Sequence, residues 1–298
     1  MSAEEMALTT YYDRPVLKPP VWIWSVPAYF FVGGVAGAAM TMGLCAQLFG
    51  GDRLRPFDEK CRWIGAVGGG IGTALLIADL GRKTRFLAML RVFRPTSPMS
   101  VGSWVLALAT PLSAGSAMLT RSRGLLPYVG VAAGSGAGVL GMPLATYTAV
   151  LLANSAVPFW LSTRNSLPLL FGASSGSGLA AVLELMPLSD REHTIARRFG
   201  IAARTADVLA TRLVERDAYD NPQVGRVLHE GVSGALWKAA KVLTLSALVL
   251  AAVPGKSTTR RRVAGTLGVL GGFALRFGVF HAGKASALDP RASFSQQQ

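Results

Sequence analysis

Ionisable side chains that interrupt apolar stretches are the first candidates for chemistry in this 298-residue chain. Asp79 closes an apolar stretch that begins at Ile64, and Arg82 and Arg85 follow within two helical turns. A carboxylate beside guanidinium groups at the edge of a hydrocarbon layer is costly, which favours a function in handling protons or substrate. We expect these three side chains to form one wall of a reaction site; simple pairing of Asp79 with Arg82 or Arg85 is the structural alternative.

Four further charged residues lie in or beside later apolar stretches: Glu184, Arg204, Asp207 and Arg276. Each is expensive to place in lipid, so together they suggest a proton route through the second half of the chain. A purely structural interpretation also stands, in which Glu184 faces Arg191 at the interface and Asp207 pairs with Arg204 one helical turn away.

Tyr147 lies inside a long apolar stretch, one turn after Pro143. Proline kinks a spanning helix and opens space beside it, and a buried phenol needs a hydrogen-bond partner. The phenol of Tyr147 could bind the carbonyl oxygen of a quinone, or it could be an ordinary packed tyrosine. Both interpretations remain open at the level of sequence.

The composition is that of a membrane protein, with 51% hydrophobic and 15% charged residues. The formal net charge is +14, but the basic residues flank apolar stretches in short clusters. Such clusters contact lipid headgroups, and no aromatic and basic interleaving accompanies them. We therefore predict contact with membrane lipid and no nucleic-acid partner.

Metal and haem ligands are scarce. Two cysteines are too few for an iron–sulfur cluster or a zinc site, and three histidines without ligand spacing argue against axial haem pairs. We predict no metal site, no haem and no iron–sulfur cluster in this chain. Electrons would have to come from a donor outside it.

Seven apolar stretches predict helices that cross a membrane, with Trp22 and Trp24 at the headgroup level of the first. These are residues 27–49, 64–79, 101–119, 126–153, 167–186, 232–253 and 263–280. Residues 194–215 have helical spacing but carry six charges, so a spanning helix and a surface helix are both open. Residues 86–93 form a short amphipathic stretch expected at the interface.

In this order the chain resembles the NrfD-like family, the polysulfide reductase membrane subunits that react with quinones. The resemblance is carried by Pro20-Val-Trp-Ile-Trp24 and Asp79-Leu-Gly-Arg-Lys-Thr-Arg85, and it covers nearly the whole chain. The further matching segments are residues 29–37, 96–104, 147–160, 168–171, 275–277 and 282–283. The family often has a histidine at the position of Asp79, so this chain departs from it there.

The resemblance implies an all-α integral membrane protein with eight transmembrane helices in two four-helix bundles. The first bundle would comprise residues 22–155 and hold the quinone site, and the second would comprise residues 156–284. An extended arm, residues 1–21, would precede them, and a polar tail, residues 285–298, would follow. The chain would be integral to the bacterial cytoplasmic (inner) membrane.

The resemblance also implies a membrane anchor subunit of a respiratory oxidoreductase complex. It would exchange electrons between a partner iron–sulfur subunit and menaquinone or ubiquinone, alongside a catalytic subunit of molybdopterin type or similar. Asp79 would handle the protons of the quinone, Tyr147 and Arg85 would position its oxygens, and Arg82 and Trp22 would line the site, with Trp22 as a lid. A multi-span transporter without a redox role and a purely structural anchor are the alternatives.

Overall fold

The structure, a computed structural model, describes residues 17–80, 82–255 and 257–294, without the side chains of Arg85, Leu87 and Phe294. Within these ranges the regular structure is entirely helical, which confirms the all-α class. Most of the arm predicted for residues 1–21, and the last four residues of the predicted tail, lie outside the described residues.

Twelve α-helices occur in the described ranges, and eight of them have 19 residues or more. In chain order they are α1 (Ser25–Gly50), α2 (Arg55–Asp79), α3 (Arg85–Met89), α4 (Pro98–Leu119), α5 (Leu126–Ala153), α6 (Pro158–Ser162), α7 (Leu167–Leu185), α8 (Asp190–Tyr219), α9 (Pro222–Gly225), α10 (Gly231–Ala252), α11 (Thr258–Leu288) and α12 (Pro290–Phe294). The stretch predicted to lie along the interface is helical only in α3, and the helix of the last apolar stretch continues to Leu288.

Six segments of the described chain are long and apolar enough to cross a membrane, so this is an integral membrane protein. The first of them, Ser25–Asp79, contains both α1 and α2, joined by the 3₁₀ turn Gly51–Leu54. Gly51 has a φ of 51°, a left-handed backbone that glycine adopts without strain, and the two helices pack against each other as a hairpin. The other five segments are α4, α5, α7, α10 and α11. Helix α8 is long enough but is not one of the six, because it carries too many charged residues.

The long helices pack in two closed groups of four. In the first group, α1 and α4 each contact both α2 and α5. In the second group, α7 and α10 each contact both α8 and α11. The groups meet where α7 packs on α1 and α5 and where α11 packs on α1. At the crossing of α1 and α5, a Cβ on Gly37 or Gly141 would strike the carbonyl oxygen of the other, so only glycine permits this approach.

Because neighbouring long helices run antiparallel, the loops that join them lie at two opposite ends of the molecule. We call one the Trp22 end; it carries Trp22 and the loops of residues 82–97, 154–166 and 220–230. The other, the far end, carries the turns of residues 51–54, 120–125 and 186–189. Bonds between helix ends fix this arrangement, including Lys60 Nζ to Glu192 at 2.7 Å across the far end.

Candidate functional site

Asp79 is the last residue of α2 and is half-buried at the Trp22 end. Its Oδ1 accepts a hydrogen bond of 3.1 Å from the backbone N–H of Ile23, just before α1. Arg82 is exposed and does not pair with it, and the side chain of Arg85 lies outside the described residues. The carboxylate is therefore held by backbone from the N-terminal segment through Oδ1, and Oδ2 has no hydrogen bond to the described part of the chain.

Tyr147 has a hydrogen-bond partner, the hydroxyl of Tyr29 on α1. Tyr29 is only 2% exposed, and the two ring centroids are 6.5 Å apart. Glycines make the space: a Cβ on Gly102 would overlap the ring of Tyr147, and one on Gly72 would lie 3.2 Å from the ring of Tyr29. The pair thus occupies a slot built from α1, α2, α4 and α5.

The tyrosine pair lies deeper than Asp79. Gly72, which contacts Tyr29, precedes Asp79 by seven residues of α2, a rise of about 10 Å. Partly buried apolar residues, among them Leu75, Leu76 and Val101, pack on the same core. Two phenols below a carboxylate, in an apolar slot, can hydrogen-bond the oxygens of a flat apolar ring and exchange protons with the Trp22 end.

Trp22 links the first group of helices to the second. Its ring stacks on that of Trp160 in α6, with centroids 6.0 Å apart and planes at 21°. Trp160 Nε1 donates to the carbonyl of Val279, and Lys284 Nζ donates to the carbonyl of Trp22 at 3.0 Å. Since the next residue, Ile23, donates its backbone N–H to Asp79, the segment that precedes α1 contacts the carboxylate and is anchored from α6 and α11.

In the second group, Arg204 of α8 forms a two-fold ion pair with Glu184 of α7. Arg204 Nη1 and Nη2 donate to Glu184 Oε1 and Oε2 at 2.8 and 2.6 Å. The two residues are 0% and 4% exposed. The structural alternative in which Glu184 faces Arg191 is therefore wrong: the partner comes from three turns further along α8, because α7 and α8 form an antiparallel hairpin.

Asp207 and Arg276 lie next to this pair. Asp207 is 2% exposed, Ser177 hydrogen-bonds its carboxylate, and Arg276 and Arg204 are the cations that interact with it. Arg276 Nη2 donates to the carbonyl of Phe171 at 2.9 Å, and its guanidinium carbon lies 3.7 Å from the centre of the Phe171 ring. The structure therefore brings all four predicted residues of the second group together.

The four charges sum to zero, which lowers the cost of burying them, yet polar atoms are left over. Arg204 Nε, Arg276 Nε and Arg276 Nη1 have no hydrogen-bond partner among the described residues. A narrow far-end cleft lined by Glu184 reaches one side of the cluster. A second narrow cleft, lined by Asp207 and Lys241, reaches the other side. Unpaired donors between two clefts are typical of sites that take up water.

Sequence reasoning missed three polar features that depend on partners distant in the chain. They are Tyr29, the far-end network in which Arg62 binds Asp58 and Gln47, and Glu215, which accepts from Trp237 and Lys241. Of these residues, only Asp58 and Arg62 are close enough in sequence, four residues apart on one helix, for their pairing to be predicted. Among the described residues no group of three or more His, Cys, Asp or Glu side chains converges on a metal position.

A helical integral membrane protein with a buried tyrosine pair below one end and a buried charge cluster is the class that fold and site define. The chain belongs to the family described as Polysulphide reductase, NrfD, whose model matches residues 15–287. This match confirms the resemblance carried by the motifs. No curated protein matches the chain. Members of the family are quinone-interacting membrane subunits of polysulfide reductase-type respiratory complexes.

Proposed function

We propose that this chain is the membrane anchor subunit of a respiratory oxidoreductase complex in the bacterial inner membrane. It exchanges electrons between a partner iron–sulfur subunit and membrane quinone or quinol, menaquinone or ubiquinone. The observation that carries the proposal is the hydroxyl pair of Tyr29 and Tyr147 below Asp79, in a chain of this family. A catalytic subunit of molybdopterin type or similar completes the complex.

The slot residues have distinct roles in this proposal. Reduction of a quinone to a quinol takes up electrons together with protons at its two oxygens. Tyr147 and Tyr29 donate hydrogen bonds to one oxygen and thereby orient the ring, while Asp79 passes protons between the slot and the Trp22 end. Arg82 and Arg85 add positive charge at the mouth, and Trp22 covers it.

We further propose that all eight long helices span the bilayer, in two four-helix bundles at residues 22–155 and 156–284. The charges of α8 support this because Arg204 and Asp207 are buried among partners from neighbouring helices, and Glu215 pairs with Lys241 of α10. The outward face of α8 has no charge between Arg198 and Arg212, a distance of about 20 Å along the helix. Arginines at such flanks extend toward the headgroups.

The Trp22 end is the proposed docking side for the iron–sulfur subunit. Residues 82–97 contain five basic and no acidic residues, and Phe93 and Val92 are 56% and 59% exposed there. A surface that mixes positive charge with exposed apolar side chains fits a protein partner. Docking at this end would bring the partner's clusters next to Asp79 and the tyrosine slot.

The cluster of Glu184, Arg204, Asp207 and Arg276 is the proposed proton route of the second bundle. Its position between a far-end cleft and a cleft beside Lys241 supports this role. Ionisable groups inside a membrane domain, buried and incompletely bonded, are typical of proton relays.

Purification in mild detergent tests the central proposal. Metal analysis, identification of the co-purifying subunits and organic extraction should detect iron, a catalytic partner and bound quinone. The Tyr29→Phe/Tyr147→Phe variant should retain iron and partner but lose most extractable quinone. A lone protein without metal or quinone would contradict electron transfer and favour a transporter.

A further inference from the structure

The outer surface of α8 and α10 is not covered by the rest of the described chain. Only 28% of the apolar window of α10 is buried, against 44 to 72% in the other candidate spans. Val232, Val242 and Val249 on its outward face are 62 to 64% exposed. This surface therefore faces lipid or another membrane component once α8 and α10 span, as proposed above.

Basic side chains converge on this open surface. Glu215 Oε1 accepts from Trp237 Nε1 at 2.8 Å and from Lys241 Nζ at 2.6 Å, which sets α8 and α10 in register. Arg212 and Arg216 flank Glu215 on α8, and Lys238 lies one turn from Lys241 on α10. We call Arg212, Arg216, Lys238 and Lys241 the α8–α10 basic surface.

Three of the four basic residues have no acidic partner in the described part of the chain. Arg212, Arg216 and Lys238 are exposed, and none of them forms an ion pair or hydrogen bond through its side chain there. Glu215 is paired with Lys241, and the neighbouring acids Asp217 and Asp220 form no described ion pair with the three. An occupant with negative charge is what such a surface would attract.

The basic side chains are long enough to extend from inside the membrane domain toward a lipid phosphate. Lys238 follows the start of α10 by seven residues, about 10 Å along a helix of about 33 Å. Long basic side chains at this depth extend toward the boundary between hydrocarbon and headgroups. Below them, a narrow cleft is lined by Val208, Leu245 and Leu275 as well as Arg212 and Lys241. Asp207 lies at the same cleft, so a lipid bound here would cover the side of the charge cluster that faces α10.

We propose that the α8–α10 basic surface binds an anionic phospholipid. Its phosphate lies between Arg216 and Lys238, and an acyl chain runs along Val242 and Leu245 over the cleft. Basic pockets between transmembrane helices bind anionic headgroups in this way. The inference rests on the proposed spanning of α8, and it adds a ligand site in the second bundle, away from the tyrosine slot.

The test uses the purified complex after exchange into detergent and removal of co-purified lipid. Cardiolipin and phosphatidylglycerol are titrated separately, with phosphatidylcholine as the neutral lipid, and binding is followed by native mass spectrometry. The Arg212→Gln/Arg216→Gln/Lys238→Gln variant is compared with Arg53→Gln/Arg123→Gln/Arg262→Gln. The control removes equal charge from three exposed arginines at the far end.

We expect both anionic lipids to bind the wild type and the control far more tightly than phosphatidylcholine. The triple variant on α8 and α10 should lose affinity on the order of 100-fold, at unchanged iron content. Equal binding of phosphatidylcholine, or unchanged binding by the variant, would overturn the proposal. So would loss of a membrane subunit from the variant, since a partner helix would then cover this surface. Absence of iron from the wild type would instead contradict the proposed function.

Discussion

At the scale of single residues, the tyrosine pair is the feature on which the quinone site depends. A phenol shielded from water loses free energy unless its O–H finds an acceptor, and in this pair one hydroxyl donates to the other. The accepting hydroxyl keeps its own O–H as a donor. A substrate oxygen that enters the slot can accept from this O–H, and it can also replace the accepting hydroxyl.

We expect Tyr29→Phe and Tyr147→Phe each to lower quinone-linked turnover by about 10- to 100-fold. Phenylalanine keeps the ring that packs on the glycines but removes the donor to the quinone oxygen. The measurement is the rate of electron transfer to a soluble quinone by the purified complex. Tyr128→Phe on α5, 74% exposed and distant from the slot, is the matched control. Wild-type rates in both slot variants would disprove the assignment.

The buried pair of Glu184 and Arg204 leads to a prediction about stability. Glu184→Leu leaves a guanidinium buried without its carboxylate, a loss of about 3–5 kcal/mol, so the Tm of the complex should fall clearly. Glu184→Leu/Arg204→Leu replaces both charges with apolar groups and should recover part of that loss. Equal Tm values for the single and double variants would mean that water solvates the arginine.

At the scale of elements, α8 explains why the sequence left residues 194–215 undecided. A hydropathy sum counts Arg204, Asp207 and Glu215 as charges in lipid, because it has no knowledge of Glu184, Arg276 or Lys241. Those partners lie on α7, α11 and α10, far away in the chain. The apolar helices needed no such partners, so their positions were predicted from the sequence, although α2 begins nine residues before the predicted start and α11 ends eight residues after the predicted end.

Cysteine labelling tests whether α8 crosses the membrane. In a Cys45→Ala/Cys61→Ala background, Arg191→Cys and Asp220→Cys place one thiol at each end of α8. A maleimide that cannot cross the membrane should label them from opposite sides in oriented vesicles. Arg53→Cys and Arg164→Cys report the far end and the Trp22 end. Labelling of both α8 thiols from one side would identify a surface helix.

Two glycines of α4, Gly102 and Gly115, allow a controlled test of the tyrosine slot. A Cβ on Gly102 overlaps the ring of Tyr147, whereas one on Gly115 has no atom within 4 Å. Gly102→Ala should therefore displace Tyr147 and lower quinone turnover about tenfold or more. Gly115→Ala should leave turnover unchanged and add slightly to stability through helix propensity. Similar effects of both substitutions on turnover would argue against a shaped slot.

At the scale of the whole molecule, the sequence predicted the helices, the family and most of the charged residues of interest. It could not predict which of these meet, because Tyr29 and Tyr147 are 118 residues apart and Trp22 and Lys284 are 262 apart. Apolar periodicity carries no information on such pairings. The structure supplies them, and it separates a tyrosine slot in the first group of helices from a charge cluster in the second.

That separation permits one last prediction, on coupling between the two groups. If electrons and quinone meet in the first bundle while protons pass Asp207 in the second, Asp207→Asn should abolish most proton release and slow turnover less. Proton release is measured with a pH dye in vesicles that contain the complex, and turnover is measured in parallel. Asp217→Asn, on the same helix and half-buried, is the control and should change neither. If Asp207→Asn leaves both proton release and turnover at wild-type values, the route through the second bundle must be abandoned, while the quinone site in the first would stand.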